Sequence, residues 1–147
     1  MKTDNKMKLT FPSVSANESF ARNVVGIFAL GLNPSIAELS DIKTAVSEAV
    51  TNCIVHGYAG KTGEIELSAE IIGDELHINV FDNGVGIENV GRALEPFYTT
   101  KPEEERSGMG FTIMKSFMDE VVVESEEGKG TRVYMTKKIS PTIEDVR

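Results

Sequence analysis

AVSEAVTNCIVHGY, residues 45–58, is the stretch on which the fold turns. Nearly every residue in it is small or apolar, the composition of a helix buried in a core. Glu48, Asn52 and His56 nonetheless recur every fourth residue, so a polar stripe climbs the same helix beside the apolar ones. A carboxylate and an amide turned toward an interior are costly unless something there satisfies them. That something has to come from elsewhere in the chain or from a ligand.

Working upstream, Ser35-Ile36-Ala37-Glu38 is a capping box and opens the helix that runs through the quoted stretch to Gly57. Ser15-Ala16-Asn17-Glu18 is a second such box, and the spacing after it predicts a helix burying Phe20, Val24, Ile27 and Phe28, ended by Gly31 and Asn33-Pro34. Met7, Leu9 and Phe11 alternate with polar residues and predict a short first strand. Downstream, residues 64–72 and 75–81 alternate with period two on either side of Gly73-Asp74, the pattern of a β-hairpin. Residues 82–110 are rich in Gly, Pro, Thr and charge, with at most one helical turn near 88–94; a loop that long in a small domain is functional or disordered. Residues 111–118 predict a third helix, and 121–124 and 131–136 a last hairpin across Glu127-Gly128-Lys129-Gly130. The expectation is an α+β two-layer sandwich, a mixed but mostly antiparallel sheet covered on one face by helices. It places one domain at 1–138 and a polar, frayed tail at 139–147.

Composition narrows the function. The 147 residues suit one well-buried domain, and 40% apolar with 26% charged residues describe a globule. A formal net charge of −8 argues against a nucleic-acid surface and fits a basic protein partner. No apolar run is long enough for a bilayer, and MKTDNKMKLTF lacks the apolar core of a signal peptide. The single cysteine, Cys53, leaves no internal disulfide and fits a reducing compartment; with only His56 and His77 beside it, a Cys/His zinc set is not expected. These features together predict a cytoplasmic protein without direct contacts to nucleic acid or membrane.

Two familiar nucleotide motifs fail on inspection. Gly60-Lys61-Thr62 resembles the end of a P-loop, but the required first glycine falls on Val55 and the segment follows a helix. Gly84-Val85-Gly86 and Gly108-Met109-Gly110 each begin a dinucleotide fingerprint, but the third glycine positions hold Asn89 and Ile113, without a βαβ unit around them.

Three signals remain, in fixed order: Glu48 with Asn52, then Asp82-Asn83-Gly84-Val85-Gly86 at a strand end, then residues 99–110, TTKPEEERSGMG, leading into a helix. Each has an ordinary structural explanation by itself: an edge pair on a half-exposed helix, a turn, and room before a helix. His56 reads as a helix-end residue and Cys53 as a core filler. Taken together the three make a site. Gly108 and Gly110 before a helix leave backbone N–H groups free for an anion, with Lys101 and Arg106 adding positive charge. Asn52 offers an amide oxygen suited to Mg²⁺ that keeps water and phosphate in its shell. Glu48, one turn earlier, is placed to accept a proton from an attacking hydroxyl.

This ordered set resembles the ATP-binding fold shared by gyrase B, Hsp90, histidine kinases and MutL, over roughly residues 45–135. Glu48 and Asn52 match its N box, Asp82, Gly84 and Gly86 its first glycine box, Gly108 and Gly110 its second, and Gly128-Lys129-Gly130-Thr131 its late glycine–threonine element. By that resemblance Asp82 accepts the adenine amino group and Thr131 supports it through water. Asn52 would hold Mg²⁺ on the phosphates of ATP, and residues 87–107 would form a lid, with Thr99, Thr100, Lys101, Arg106, Ser107, Gly108, Met109 and Gly110 lining the nucleotide. Within the superfamily, SEAVTNCIVHGY and FYTTKPEEERSGMGF are similar to the bacterial anti-sigma serine kinases. The resemblance implies a homodimer that binds a sporulation sigma factor. It also implies an ATP-dependent serine kinase, with ADP as product, acting on an anti-anti-sigma factor. Partner contacts are expected on the exposed side of the first helix, at Arg22 and Glu18. An ATP-gated binding module without significant kinase activity, or a gyrase-like or chaperone-like ATPase, are the alternatives.

Overall fold

Five period-two segments become five strands. The computed structural model describes residues 4–87, 89–95 and 110–140. In chain order these form β1 (Asn5–Pro12), α1 (Ala16–Ala29), α2 (Ile36–Asn52), β2 (Glu64–Ile72), β3 (Glu75–Asp82), the single turn α3 (Val90–Ala93), α4 (Gly110–Phe117), β4 (Glu120–Glu126) and β5 (Gly130–Lys138). The strands form a sheet in the order β1-β2-β3-β5-β4. Every pairing among the described residues is antiparallel, so the sheet lacks the parallel component that a mixed sheet would have. Tight turns join β2 to β3 and β4 to β5, and α1 and α2 join β1 to β2; β3 and β4 run in the same direction with β5 between them and α4 in their connection.

One face of the sheet turns Ile65, Leu67, Leu76, Ile78, Val80, Val133 and Met135 inward, all buried. Against them lies a helical layer with α2 in the middle: α1 packs on one of its sides and α4 on the other. The start of α2 is fixed by its capping box, in which the Ser35 hydroxyl accepts from the Glu38 N–H at 3.0 Å and the Glu38 carboxylate accepts from the Ser35 N–H at 2.9 Å. Glu38 also accepts from the Ser140 N–H at 3.2 Å. Burial alone would raise its carboxyl, but these bonds outweigh it and hold the group below the usual range.

Three expectations change. The Ser15 box does not form: Ser15 has helical dihedrals and caps nothing, while Glu18 is drawn to Arg22 and Ser47 instead. The buried stripe of α1 is Ala21, Val25, Gly26 and Ala29, not Phe20, Val24, Ile27 and Phe28; Phe20 is 49% and Ile27 69% exposed. Small residues face inward because α1 lies close on α2, where a Cβ at Gly26 would meet the Lys43 stem at 3.1 Å. Ile139 is no part of a frayed tail. It is buried, and its N–H donates to the Asp74 carbonyl at 2.9 Å.

Candidate active site

The helix of the opening stretch changes its winding where the polar stripe ends. It is α-helical through Asn52 and then makes one π turn, Cys53–Gly57, closed by the Tyr58 N–H on the Cys53 carbonyl at 2.9 Å. Single π turns within α-helices are frequent at functional sites, because the extra residue re-aims the side chains that follow. Here it brings Cys53, Gly57 and Tyr58 to the end of β3, where Asp82 sits.

Asp82 is only 2% exposed, the most buried charged side chain described. Its Oδ1 accepts from the Gly84 N–H at 2.9 Å. The Cys53 thiol and the Thr131 N–H also donate to the carboxylate. Burial pushes this carboxyl above its ordinary value, and those three donors pull back against it without cancelling it. In turn burial, then the Asp82 charge, drives the Cys53 thiol well above the ordinary range. A buried carboxylate with most of its acceptor positions filled by the protein has little capacity left, and that remainder suits one donor from a ligand.

The loop after Asp82 is held on both sides. Val85 N–H donates to the Gly57 carbonyl at 2.8 Å, and Gly128 N–H to the Val85 carbonyl at 2.6 Å. Gly84 lies so close to the π turn that a Cβ there would fall on the Gly57 carbonyl. Gly86 has φ +76° against the Glu126 carbonyl, a conformation and a proximity open only to glycine. Thr131 is buried opposite Asp82 in the β3–β5 ladder. Its hydroxyl is bonded to Ser125 Oγ at 2.8 Å, and Ser125 accepts from the Ile87 N–H at 2.7 Å.

Glu48 and Asn52 are both half-buried on α2. Helical periodicity puts them on the flank opposite Lys43 and Ser47, which pack against α1, and therefore on the flank toward α4. Gly110 is the buried first residue of α4. The structure thus brings Asp82, Gly84, Gly86 and Thr131 together beside the π turn that follows Asn52. Thr99, Thr100, Lys101, Arg106, Ser107, Gly108 and Met109 lie outside the described residues. Arg22 and Glu18 sit apart, paired with each other at the α1–α2 seam.

Comparison with known proteins decides which family the chain belongs to. Residues 14–137 match the family model described as histidine kinase-like ATPase domain. Two curated relatives are named anti-sigma F factor. One, from Thermoanaerobacter sp. (strain X514), is 58% identical over 139 residues, covering 95% of this chain and 97% of the relative. The other, from Clostridium acetobutylicum, is 56% identical over 142 residues, covering 97% and 99%. The chain belongs to the anti-sigma F factor family of histidine kinase-like ATPase domains. Among solved structures, the RsbU and RsbW domains of Rv1364c from Mycobacterium tuberculosis superpose with a TM-score of 0.69 at 19% identity, over 94% of this chain and 33% of that one. The catalytic domain of the histidine kinase ThkA gives 0.57 at 17% identity, over 92% and 99%. Both share the fold.

Sequence reasoning passed over several members of this site. Cys53 was expected only to fill the core, Gly57 only to end a helix, and Tyr58 and Ser125 were given no role. The signal was faint but present: a glycine–aromatic pair closing the helix that carries Glu48 and Asn52. Among the described residues no helix is long and apolar enough to cross a membrane.

Proposed function

We propose that the chain is an ATP-dependent serine protein kinase that also binds a sporulation sigma factor, with an anti-anti-sigma factor as the protein it phosphorylates. The observation that carries the reading is Asp82: a buried carboxylate with three protein donors and room for one more, taken here as the base end of a cleft whose phosphate end carries Asn52 and Glu48. In this reading Asp82 accepts the exocyclic amino group of adenine, and Thr131, held by Ser125, supports the same edge of the base through water. Glu48 removes the proton of the substrate serine as its oxygen forms a bond to the γ-phosphorus. The bond to the bridging oxygen breaks, and the electron pair leaves with ADP.

Asn52 fits a magnesium ion in part. Among the described residues no cluster of His, Cys, Asp and Glu could hold a metal, and one amide oxygen suits an ion that keeps water and phosphate for its other positions. Mg²⁺ would neutralise charge on the phosphates, and Asn52 would hold it. Residues 87–107, with Lys101 and Arg106, would close over the phosphates.

The same reading assigns the sigma factor and the substrate protein to the seam at Arg22 and Glu18. The exposed ridge of Phe20, Ile27 and Leu30 would form a homodimer contact, since exposed apolar side chains on one helix mark an interaction surface. A cytoplasmic location follows from these partners. Incubation with γ-labelled ATP, with and without the two partners, tests the whole: label on the anti-anti-sigma factor supports a kinase. Label released as inorganic phosphate makes the protein an ATPase, and neither outcome together with ATP-dependent sigma binding makes it a gated binding module.

A further inference from the structure

Tyr58 closes the π turn and has no part in the chemistry described so far, yet its hydroxyl reaches across to the loop that follows Asp82. It accepts from the Asn83 N–H at 2.8 Å and donates to the Glu64 carbonyl at the head of β2. Its ring lies flat against Gly63, where a Cβ would collide with it. One residue earlier, the Gly57 carbonyl receives Val85. A Cβ on Gly57 would lie 2.7 Å from Asp82 Oδ2. Two adjacent residues of the helix end therefore grip the loop on both sides of Gly84, whose own N–H is bonded to Asp82.

We propose that Tyr58 is a positioning residue for nucleobase recognition: its hydroxyl, bridging Asn83 and Glu64, fixes the loop that aims the Asp82 carboxylate. The inference rests on the nucleotide reading of the cleft. The geometry gives the hydroxyl no other task, since it donates to a backbone group at the head of β2 and accepts from one in the loop after β3. Burial, opposed by the Asn83 bond and reinforced by the Asp82, Cys53 and Glu64 groups, raises its pKa, so the hydroxyl stays protonated and a donor at neutral pH. Without the hydroxyl, the Asn83 N–H and the Glu64 carbonyl lose their partners, and the loop relaxes at the base end of the cleft. The phosphate end, built on Asn52 and α4, is untouched.

Binding of adenosine, ATP and GTP by wild type and Tyr58→Phe tests this, with thermal melting of both proteins as a parallel measurement. The expected result is that adenosine and ATP weaken by the same factor, about tenfold, and that the preference for ATP over GTP narrows. Melting without nucleotide should fall by only a few degrees. Unchanged adenosine affinity and unchanged base preference, with or without a drop in melting temperature, would overturn the proposal and leave Tyr58 a purely structural bridge. A loss confined to ATP, with adenosine unaffected, would also overturn it, by placing the effect at the phosphates. Failure of wild type to bind either adenosine or ATP would instead refute the nucleotide reading itself. Tyr58→Phe keeps the ring on Gly63; should it fail to fold, Gly63→Ser, which pushes the ring without removing the hydroxyl, carries the same comparison.

Discussion

Ser47 and Glu48 are neighbours in the chain, and the helix turns them about 100° apart, onto different flanks of α2. Ser47 turns toward α1, where its hydroxyl donates to Glu18, and Glu18 also holds Arg22 in a half-exposed ion pair. Glu48 turns toward α4 and the cleft that ends at Asp82. The first cluster is a polar seam between two helices, satisfied within the protein and open to solvent on one side. The second surrounds a buried carboxylate whose protein donors leave room for a ligand. Helical periodicity alone separates them, with α2 in the middle of its layer and a different neighbour on each flank. One helix thus carries two polar clusters that share no side chain.

The largest break between the two sides is expected from Glu48→Gln. The amide keeps the shape and removes the base, so phosphorylation of the anti-anti-sigma factor should fall by about 10²–10⁴ while ATP still binds. Transfer at near wild-type rate in a single-turnover assay would take Glu48 out of the chemistry. The seam, in contrast, should respond in binding rather than rate. Arg22→Glu is expected to cost partner binding about 2 kcal/mol or more, with ATP affinity unchanged. Arg22 and Glu18 are already paired, so the variant also sets like charges one helical turn apart; for an exposed pair that lowers stability by less than about 1 kcal/mol. Normal binding of both proteins by this variant would move the interface off α1.

A pH titration sharpens the comparison further. In the proposed reading adenosine binding needs the Asp82 carboxylate ionised, and burial raises the pKa of that group. Adenosine affinity should therefore fall as pH drops through a range above the ordinary aspartate value of about 3.9, by about 1–3 kcal/mol for one lost buried bond. The linkage to stability has the opposite sense from a salt-bridged aspartate. With the folded pKa above the unfolded one, ionisation opposes folding, and this contribution to stability declines as pH rises from the unfolded value through the folded one. Asp82→Asn should bind adenosine weakly at every pH; a pH-dependent loss that survives in this variant would assign the titration elsewhere. The smallest effect belongs to neither flank. Ser35→Ala removes one side of a formed capping box at the start of α2, and should lower stability by about 1 kcal/mol in chemical denaturation without altering nucleotide or partner affinity. Ser15→Ala, where no box forms, should leave stability within error of wild type.

The contrast between those two serines shows how far local sequence reaches. Both precede a residue pair with the spacing of a capping box, and only Ser35 uses it. At Ser15 the carboxylate needed for the box has a better offer, an arginine one turn on and a hydroxyl from α2, and nothing in residues 15–18 could announce that. The same holds for α1 as a whole. Its largest apolar side chains predict one buried face, but the helix lies so close on α2 that only Ala21, Val25, Gly26 and Ala29 fit there, and Phe20 and Ile27 are left outside.

What the sequence determined by itself was the order of its elements and the local features that neighbours in the chain fix. The alternation in β2 and β3, the Gly73-Asp74 turn, the helix through Glu48 and Asn52 and the order of the glycine motifs were all legible, because neighbours in the chain fix them. Tertiary structure alone decided which stripe of α1 is inside, that Ile139 belongs to the core, and that the polar helix ends in a π turn. It alone placed Cys53 and Tyr58 against a loop some 25 residues further on, since Tyr58 bonds Asn83 across that separation. The physical reason is common to all four. Burial and long-range hydrogen bonds are properties of two surfaces meeting, and a sequence read along its length shows only one surface at a time.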